Sequence, residues 1–153
     1  MKRPEVDYFV VGLPGPQGSK NHIGSGRMVE SSKKVKPWRK AVKERTERAM
    51  RELAWTTEHG SVAIVAEVTF WLPRPKGHPR TRRTVPIRYP DNDKLQRSTF
   101  DALTAAKALE DDARVTDVHA RKRYVHPPQL RYEGEPDVTG ASIRLYQLPE
   151  EDY

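Results

Sequence analysis

Residues 61–72 constrain the fold most, because both alternating sets of their side chains are largely hydrophobic. One set consists of Val62, Ile64, Ala66, Val68 and Phe70, and the other of Ala63, Val65, Glu67, Thr69 and Trp71. A strand that is apolar on both faces is typical of the interior of a sheet. The run therefore predicts a central β-strand.

Periodicity predicts two helices and three further strands along the chain. Apolar residues spaced by about 3.6 positions indicate a helix with Pro37 in its first turn, ending near residue 53, and a second helix over about residues 92–106. Alternating stretches predict strands at residues 6–13, 114–125 and 141–148. The core face of the first helix would comprise Trp38, Val42, Thr46 and Met50. That of the second would comprise Leu95, Thr99, Ala102, Leu103 and Ala106, with Asp93, Arg97 and Asp101 on the opposite side.

Three segments are predicted to lack regular secondary structure. Residues 14–36 are polar, basic and contain glycine, which predicts a loop. Residues 73–88 contain six basic residues, four prolines and no acid, so they predict a mobile basic loop, and a loop of this length is usually functional. Residues 149–153 predict an acidic C-terminal tail. A length of 153 residues suits one domain over residues 1–153.

The charge balance favours an anionic partner. The chain has 28 Lys and Arg against 21 Asp and Glu, for a formal net charge of +7. Nucleic acid is the commonest partner of such a protein, and an anionic membrane surface is the alternative. The absence of cysteine excludes disulfides and thiolate metal sites, and no signal peptide or membrane-spanning run is visible. We therefore expect a soluble intracellular protein.

Six basic residues are candidates for contact with nucleic acid. The stretch of residues 20–48 is the most basic part of the chain, and its helical portion would be either a solvated face with i,i+4 ion pairs or a surface that faces phosphates. A basic triplet at residues 121–123 would either protect an edge strand or touch DNA. The candidates are Lys20, Arg27, Lys33, Lys34, Lys94 and Lys122.

Acidic residues concentrate at two places that flank the second predicted helix. Asp91 and Asp93 come just before or within its first turn, and Asp111 and Asp112 follow its end together with Glu110. A helix N-cap would explain one of these acids. Several converging carboxylates would repel one another unless a cation lay between them.

Oxygen ligands of this kind favour a hard divalent ion, Mg²⁺ above all. An EF-hand is excluded, because that loop needs an acid or Asn and then Gly where this chain has Leu95 and Gln96. Mg²⁺ held by carboxylates in a basic protein is the apparatus of phosphodiester hydrolysis, and ordinary surface carboxylates are the alternative.

At these residues the sequence resembles the RusA family of Holliday junction resolvases. The family pattern of Pro-Asp-x-Asp-Asn, a later Lys, Asp-Ala-Leu and then an acid pair corresponds to "PDNDKLQRSTFDAL" and "EDDARV". The opening "GLPGPQGSKN" is also similar. By this resemblance the metal-binding and catalytic acids are Asp91, Asp93 and Asp112, and Asp111 is a bystander. Lys94 replaces the family Asn, and Arg97 replaces the family Lys, so position 97 can neutralise charge but cannot act as a general base.

The resemblance implies an α+β domain in which a mixed β-sheet of about four to five strands packs with two main helices. It implies a homodimer that uses Mg²⁺, with Mn²⁺ as a substitute, to make paired nicks across a four-way DNA junction. The setting would be the cytoplasm of a bacterium or of a phage-infected cell. The alternative is a RusA-like DNA-binding module in which catalysis is weakened or lost at Lys94 and Arg97.

Overall fold

A computed structural model describes residues 4–18, 20–23, 27–30, 33–57 and 61–153. The strands are β1 (Glu5–Val11), β2 (Lys20–Ile23), β3 (Arg27–Glu30), β4 (Val62–Pro73), β5 (Val115–Val125) and β6 (Gly140–Pro149). The helices are α1 (Val35–Glu52) and α2 (Asn92–Ala105). Short 3₁₀ turns occur at Asp112–Arg114, Pro128–Leu130 and Glu150–Asp152.

Four strands form one mixed sheet in the order β1-β6-β4-β5. Strand β6 is antiparallel to both of its neighbours, whereas β5 runs parallel to β4. The connection from β4 to β5 passes through α2, as a parallel pair requires a crossover. β4 is thus an interior strand, and the α+β domain with two main helices is confirmed.

Both helices cover one face of the sheet, and their predicted core faces are the buried ones. In α1 the buried residues are Val35, Trp38, Val42, Thr46 and Ala49, and in α2 they are Leu95, Ser98, Thr99, Ala102 and Leu103. Two buried polar contacts join these elements. The Trp38 indole donates to Thr99 Oγ1 across 3.0 Å, and the Tyr8 hydroxyl lies 2.6 Å from that of Thr46. These contacts fix the helices to each other and to β1.

The long basic segment before α2 has no helix or strand, as predicted, but it is braced by specific contacts. Arg83 forms a bidentate pair with Glu135, at 2.6 and 2.9 Å, and its guanidinium stacks 3.8 Å from the centre of the Tyr132 ring. His78 Nδ1 lies 2.8 Å from Thr84 Oγ1. The loop therefore follows a defined path. The sequence predicted a mobile loop and did not indicate these bracing contacts.

The predicted loop at residues 14–36 differs from the structure in part of its length. Lys20–Ile23 and Arg27–Glu30 pair as a separate two-stranded antiparallel ladder. The segment has no strong alternation of apolar and polar residues, so its pairing had no clear sequence signal. Within the part of the chain that the structure describes, neither helix is long and apolar enough to cross a membrane.

Candidate active site

The first acid pair lies at the N-terminus of α2. Asp91 occupies the N-cap position in an extended conformation, yet its side chain makes no capping hydrogen bond. Instead its carboxylate faces Lys94 Nζ at 3.7 Å. Asp93 is exposed in the first turn of the helix. Capping by Asp91 is therefore not the explanation for this pair, and the positive end of the helix dipole favours both negative charges.

Strand β5 holds this acidic turn in place. The Asn92 amide donates to the carbonyl of Ala120 across 3.1 Å and accepts from Gln96 Nε2 across 3.0 Å. The Lys122 ammonium donates to the carbonyls of Arg88 and Pro90, each across 2.9 Å. The turn that precedes Asp91 is thus bonded at several points to a sheet strand.

These contacts alter the interpretation of Lys122. We predicted it to be a DNA contact, but two of the three hydrogens of its ammonium serve backbone carbonyls of the same chain. Asn92 was not singled out from the sequence at all. No local signal could have shown either role, because both depend on the position of α2 beside β5.

The glycine-containing segment after β1 packs against the same end of α2. Ser98 Oγ donates to the Gly15 carbonyl across 2.6 Å, and the Gln17 N–H donates to the Lys94 carbonyl across 3.0 Å. Gly15 also lies against α1, because a Cβ at this position would be 2.3 Å from the Lys34 carbonyl oxygen. The N-termini of both helices therefore meet at this segment.

Four of the predicted basic residues can be located relative to the two helices. Lys33 and Lys34 are exposed at the start of α1, and the stem of Lys94 lies over Gly18. Arg97 is exposed one helical turn beyond Asp93. The side chains of Lys20 and Arg27 fall outside the part of the chain that the structure describes.

The second acid pair follows the opposite end of α2. Asp111 caps the 3₁₀ turn by accepting the N–H of Ala113 across 2.8 Å. Asp111 accepts a hydrogen bond from the protonated carboxyl of Asp112, which raises the pKa of Asp112, with further contributions from slight desolvation and from the charges of Asp111 and Asp101. The pKa of Asp111 is lowered by its hydrogen bonds to the Ala113 N–H and to Asp112. Asp111 thus has a structural role, whereas Asp112 holds a proton more readily than an ordinary aspartate.

The three predicted metal ligands do not converge within one chain. Among the described residues, no group of three His, Asp or Glu side chains is close enough to hold a metal ion. Helix α2 lies between the two acid pairs along the chain, and its 14 residues are about 20 Å long. The acid of α2 that does influence Asp112 is Asp101, which also accepts a hydrogen bond of 2.8 Å from Gln17 Nε2.

The donor chemistry at Asp91 and Asp93 still suits a hard divalent cation. Mg²⁺ commonly binds through one or two carboxylates, with water and substrate phosphates as its other ligands. Two exposed carboxylates, one of which lies beside Lys94, provide those ligands and leave room for a phosphate. The arrangement can thus hold a metal and bind a nucleic-acid backbone at one place.

Comparison with known proteins agrees with this arrangement. The family model described as Endodeoxyribonuclease RusA matches residues 13–133, which include both acid pairs, both helices and the basic loop. No curated protein matches the chain. The family match covers most of the chain, and this chain therefore belongs to the RusA family of endodeoxyribonucleases.

Proposed function

We propose that this endonuclease resolves four-way DNA junctions in recombination and repair by paired, Mg²⁺-dependent cleavage of phosphodiester bonds. The observation that carries the proposal is the acid pair Asp91 and Asp93, which lies at the positive end of α2 with Lys94 beside Asp91 and with Arg97 exposed on the next turn. The position of this pair is fixed by hydrogen bonds to β5, from Asn92 to a β5 carbonyl and from Lys122 of β5 to the turn before Asp91. Fixed carboxylates beside phosphate-binding cations are what hydrolysis of DNA requires.

Each side chain of the site has a distinct part. Asp91 and Asp93 would hold the cation, which when bound lowers the pKa of an attacking water and offsets charge on the leaving oxygen. Arg97 neutralises phosphate charge without transferring a proton. Lys94 competes with the cation for Asp91, so we expect a weaker metal affinity than a neutral side chain at position 94 would give.

The distance between the acid pairs supports a two-fold dimer as the active form. In a dimer, Asp112 of the partner subunit can approach Asp91 and Asp93 even though α2 separates these acids within one chain. Two symmetric sites can also face the two equivalent strands of a junction. The proposed enzyme is therefore a homodimer with composite metal sites.

The decisive experiment compares a labelled four-way junction with a linear duplex of the same sequence, in Mg²⁺ and in chelator. We expect paired nicks that are confined to the junction, require Mg²⁺, and disappear in Asp112→Asn. Asp117→Asn is the matched control, since Asp117 is an exposed acid on β5 away from the α2 N-terminus. Junction binding without nicks across divalent ions would refute the enzyme.

A mixing experiment tests the composite site. Asp93→Asn and Asp112→Asn should each be inactive alone. A mixed dimer has one intact site if the acids come from different chains, so mixing should restore single-strand nicks. If every site is built within one chain, both sites of the mixed dimer remain defective and no cleavage returns.

The second candidate is a DNA-binding module without cleavage. The pairing of Lys94 with Asp91 favours it, because an internal cation already occupies part of the acid pair. This candidate predicts selective junction binding that neither Mg²⁺ nor Mn²⁺ converts to nicking.

A further inference from the structure

Three large apolar side chains are exposed in five residues of the basic loop. Val85 is 65% exposed, Ile87 82% and Tyr89 66%, at alternating positions. Ile87 is the most exposed large hydrophobic residue among those that the structure describes. Apolar groups held together in water commonly mark an interaction site, because they contribute nothing to the folding of the isolated chain.

The contacts of the loop prevent these side chains from turning inward. The Ile87 N–H donates to the Val85 carbonyl across 3.0 Å, which makes a tight local turn. Arg83 is tied to Glu135 on one side of this turn, and Lys122 bonds the carbonyls of Arg88 and Pro90 on the other. The segment is thus fixed at both ends, and its apolar side chains remain outside.

The surroundings of the exposed side chains are cationic. A pocket of about 560 Å³ separates residues 83–87 from β5, and its lining includes Arg83, Arg121, Lys122 and Arg123 as well as Asn92 of the acidic turn. Residues 73–88 contain no acid. An apolar row beside several guanidinium groups suits a ligand that presents flat apolar surfaces next to anions, which is the character of nucleic-acid bases and their phosphates.

We propose that Ile87 and Tyr89 contact unstacked bases at the branch point of the DNA substrate, while the cations of the loop bind the adjacent phosphates. The inference rests on the proposed function and identifies what selects a branch over a continuous duplex. Inserting an apolar side chain between bases requires unstacking, which costs less at a branch because the bases there lack a continuous stack. Tyr89 lies two residues before Asp91, so the contact would place the branch beside the acid pair.

The test measures binding and base stacking with the intact protein. The variant is Ile87→Ser/Tyr89→Ser, and the control is Val11→Ser, which removes an equally exposed apolar side chain, 66% exposed, from β1. Affinity for a four-way junction and for a linear duplex is measured in chelator, so that no cleavage intervenes. A 2-aminopurine base at the branch point reports unstacking by its increase in fluorescence.

We expect the wild type to increase the fluorescence and to prefer the junction. The loop variant should not increase the fluorescence, and its preference for the junction over the duplex should fall about tenfold. A loss of this size corresponds to roughly one stacked base. Its affinity for the linear duplex should change little. Val11→Ser should behave as the wild type.

An unchanged junction preference and fluorescence response in the loop variant would overturn the inference. So would conversion of the variant to a monomer, or loss of its binding to anionic vesicles alone, because the surface would then serve a second copy or a membrane. Cleavage by the wild type in Mg²⁺ is measured in parallel. If the wild type cleaves junctions but the variant retains its selectivity, the inference fails while the proposed function stands.

Discussion

Lys122 links the turn before Asp91 to β5 by two hydrogen bonds. Replacing it with Met keeps the side-chain length but removes both hydrogen bonds to the backbone before Asp91. We expect Lys122→Met to lower cleavage by about tenfold to a hundredfold, since small displacements of catalytic groups have effects of this size. The Mg²⁺ concentration for half-maximal cleavage should rise as well.

Arg121→Met provides the control for Lys122→Met. It removes an exposed positive charge from the adjacent position of β5 without touching the acidic turn. It should weaken DNA binding and leave the Mg²⁺ requirement unchanged. If the two variants share the same metal dependence, Lys122 acts only as a surface charge.

His126 makes the stability of the protein sensitive to acid. Its side chain is buried, with no hydrogen-bond partner for Nδ1, and burial lowers its pKa below the usual 6.5, with further contributions from Arg83 and Arg74 that Glu135 opposes. As the pH falls through about 6.5, His126 binds a proton in the unfolded chain, whereas in the folded chain it stays neutral to lower pH. The free energy of unfolding should therefore decrease below that pH.

Thermal unfolding between about pH 7.5 and 5.5 tests this prediction. His126→Phe removes the titrating group, and its Tm should fall less over this range than the Tm of the wild type. His119→Gln, at an exposed position of β5, should retain the wild-type dependence. If the Tm of His126→Phe falls with pH as steeply as the Tm of the wild type, other groups cause the acid sensitivity.

At the level of elements, the segment between β1 and α1 fits against both helices only because residue 15 lacks a side chain. A Cβ on Gly15 would lie 2.3 Å from the Lys34 carbonyl oxygen and 2.9 Å from the Val35 nitrogen. Gly15→Ala must therefore move the segment or the start of α1. We expect a loss of about 1–3 kcal/mol in the free energy of unfolding, as in other overpacked sites.

Chemical denaturation of Gly15→Ala beside Gly77→Ala measures this cost. The described structure places nothing within 4 Å of a Cβ at Gly77, so that variant should be close to neutral. Equal stability of the two variants would mean that the segment adjusts without strain.

Periodicity predicted the helices well because each buries one consistent face, and it predicted β4 because both of its faces are largely apolar. Val42 and Leu103 occupy core positions that a helical wheel identifies directly, and the alternation of β4 marks an interior strand. The β2–β3 ladder escaped prediction because it stands apart from the main sheet and has no alternating apolar face that would reveal it.

At the scale of the whole molecule, the net charge predicts DNA binding that weakens steeply with salt. Lys33→Gln/Lys34→Gln removes two exposed cations at the start of α1. If both contact phosphates, the slope of log K against log salt should become shallower by about 2. Titrations of labelled junction at several salt concentrations give this slope.

Lys43→Gln/Arg51→Gln removes the same charge from later turns of α1 and serves as the control. Its slope should change little. If both double variants alter the slope equally, binding depends on net charge and not on the surface at the helix N-termini.

The candidate site was predictable from sequence only in its parts. The types and spacing of Asp91, Asp93 and Asp112 identified the chemistry, and their roles as ligands stay predictions. Their separation within one chain agrees with the helix predicted over residues 92–106, since that helix lies between the two acid pairs. The support from Asn92 and Lys122 depends on the packing of α2 beside β5, which no local pattern encodes.

The strand order has a consequence for synthesis of the protein. β6 lies between β1 and β4 in the sheet, but along the chain it follows every other described strand. Until residue 140 has left the ribosome, β1 has no neighbour in the main sheet and β4 is paired on one edge at most. All the predicted acids have been translated by then, and the domain folds as a unit. A nascent or prematurely terminated chain thus carries the carboxylates without the complete sheet that positions them.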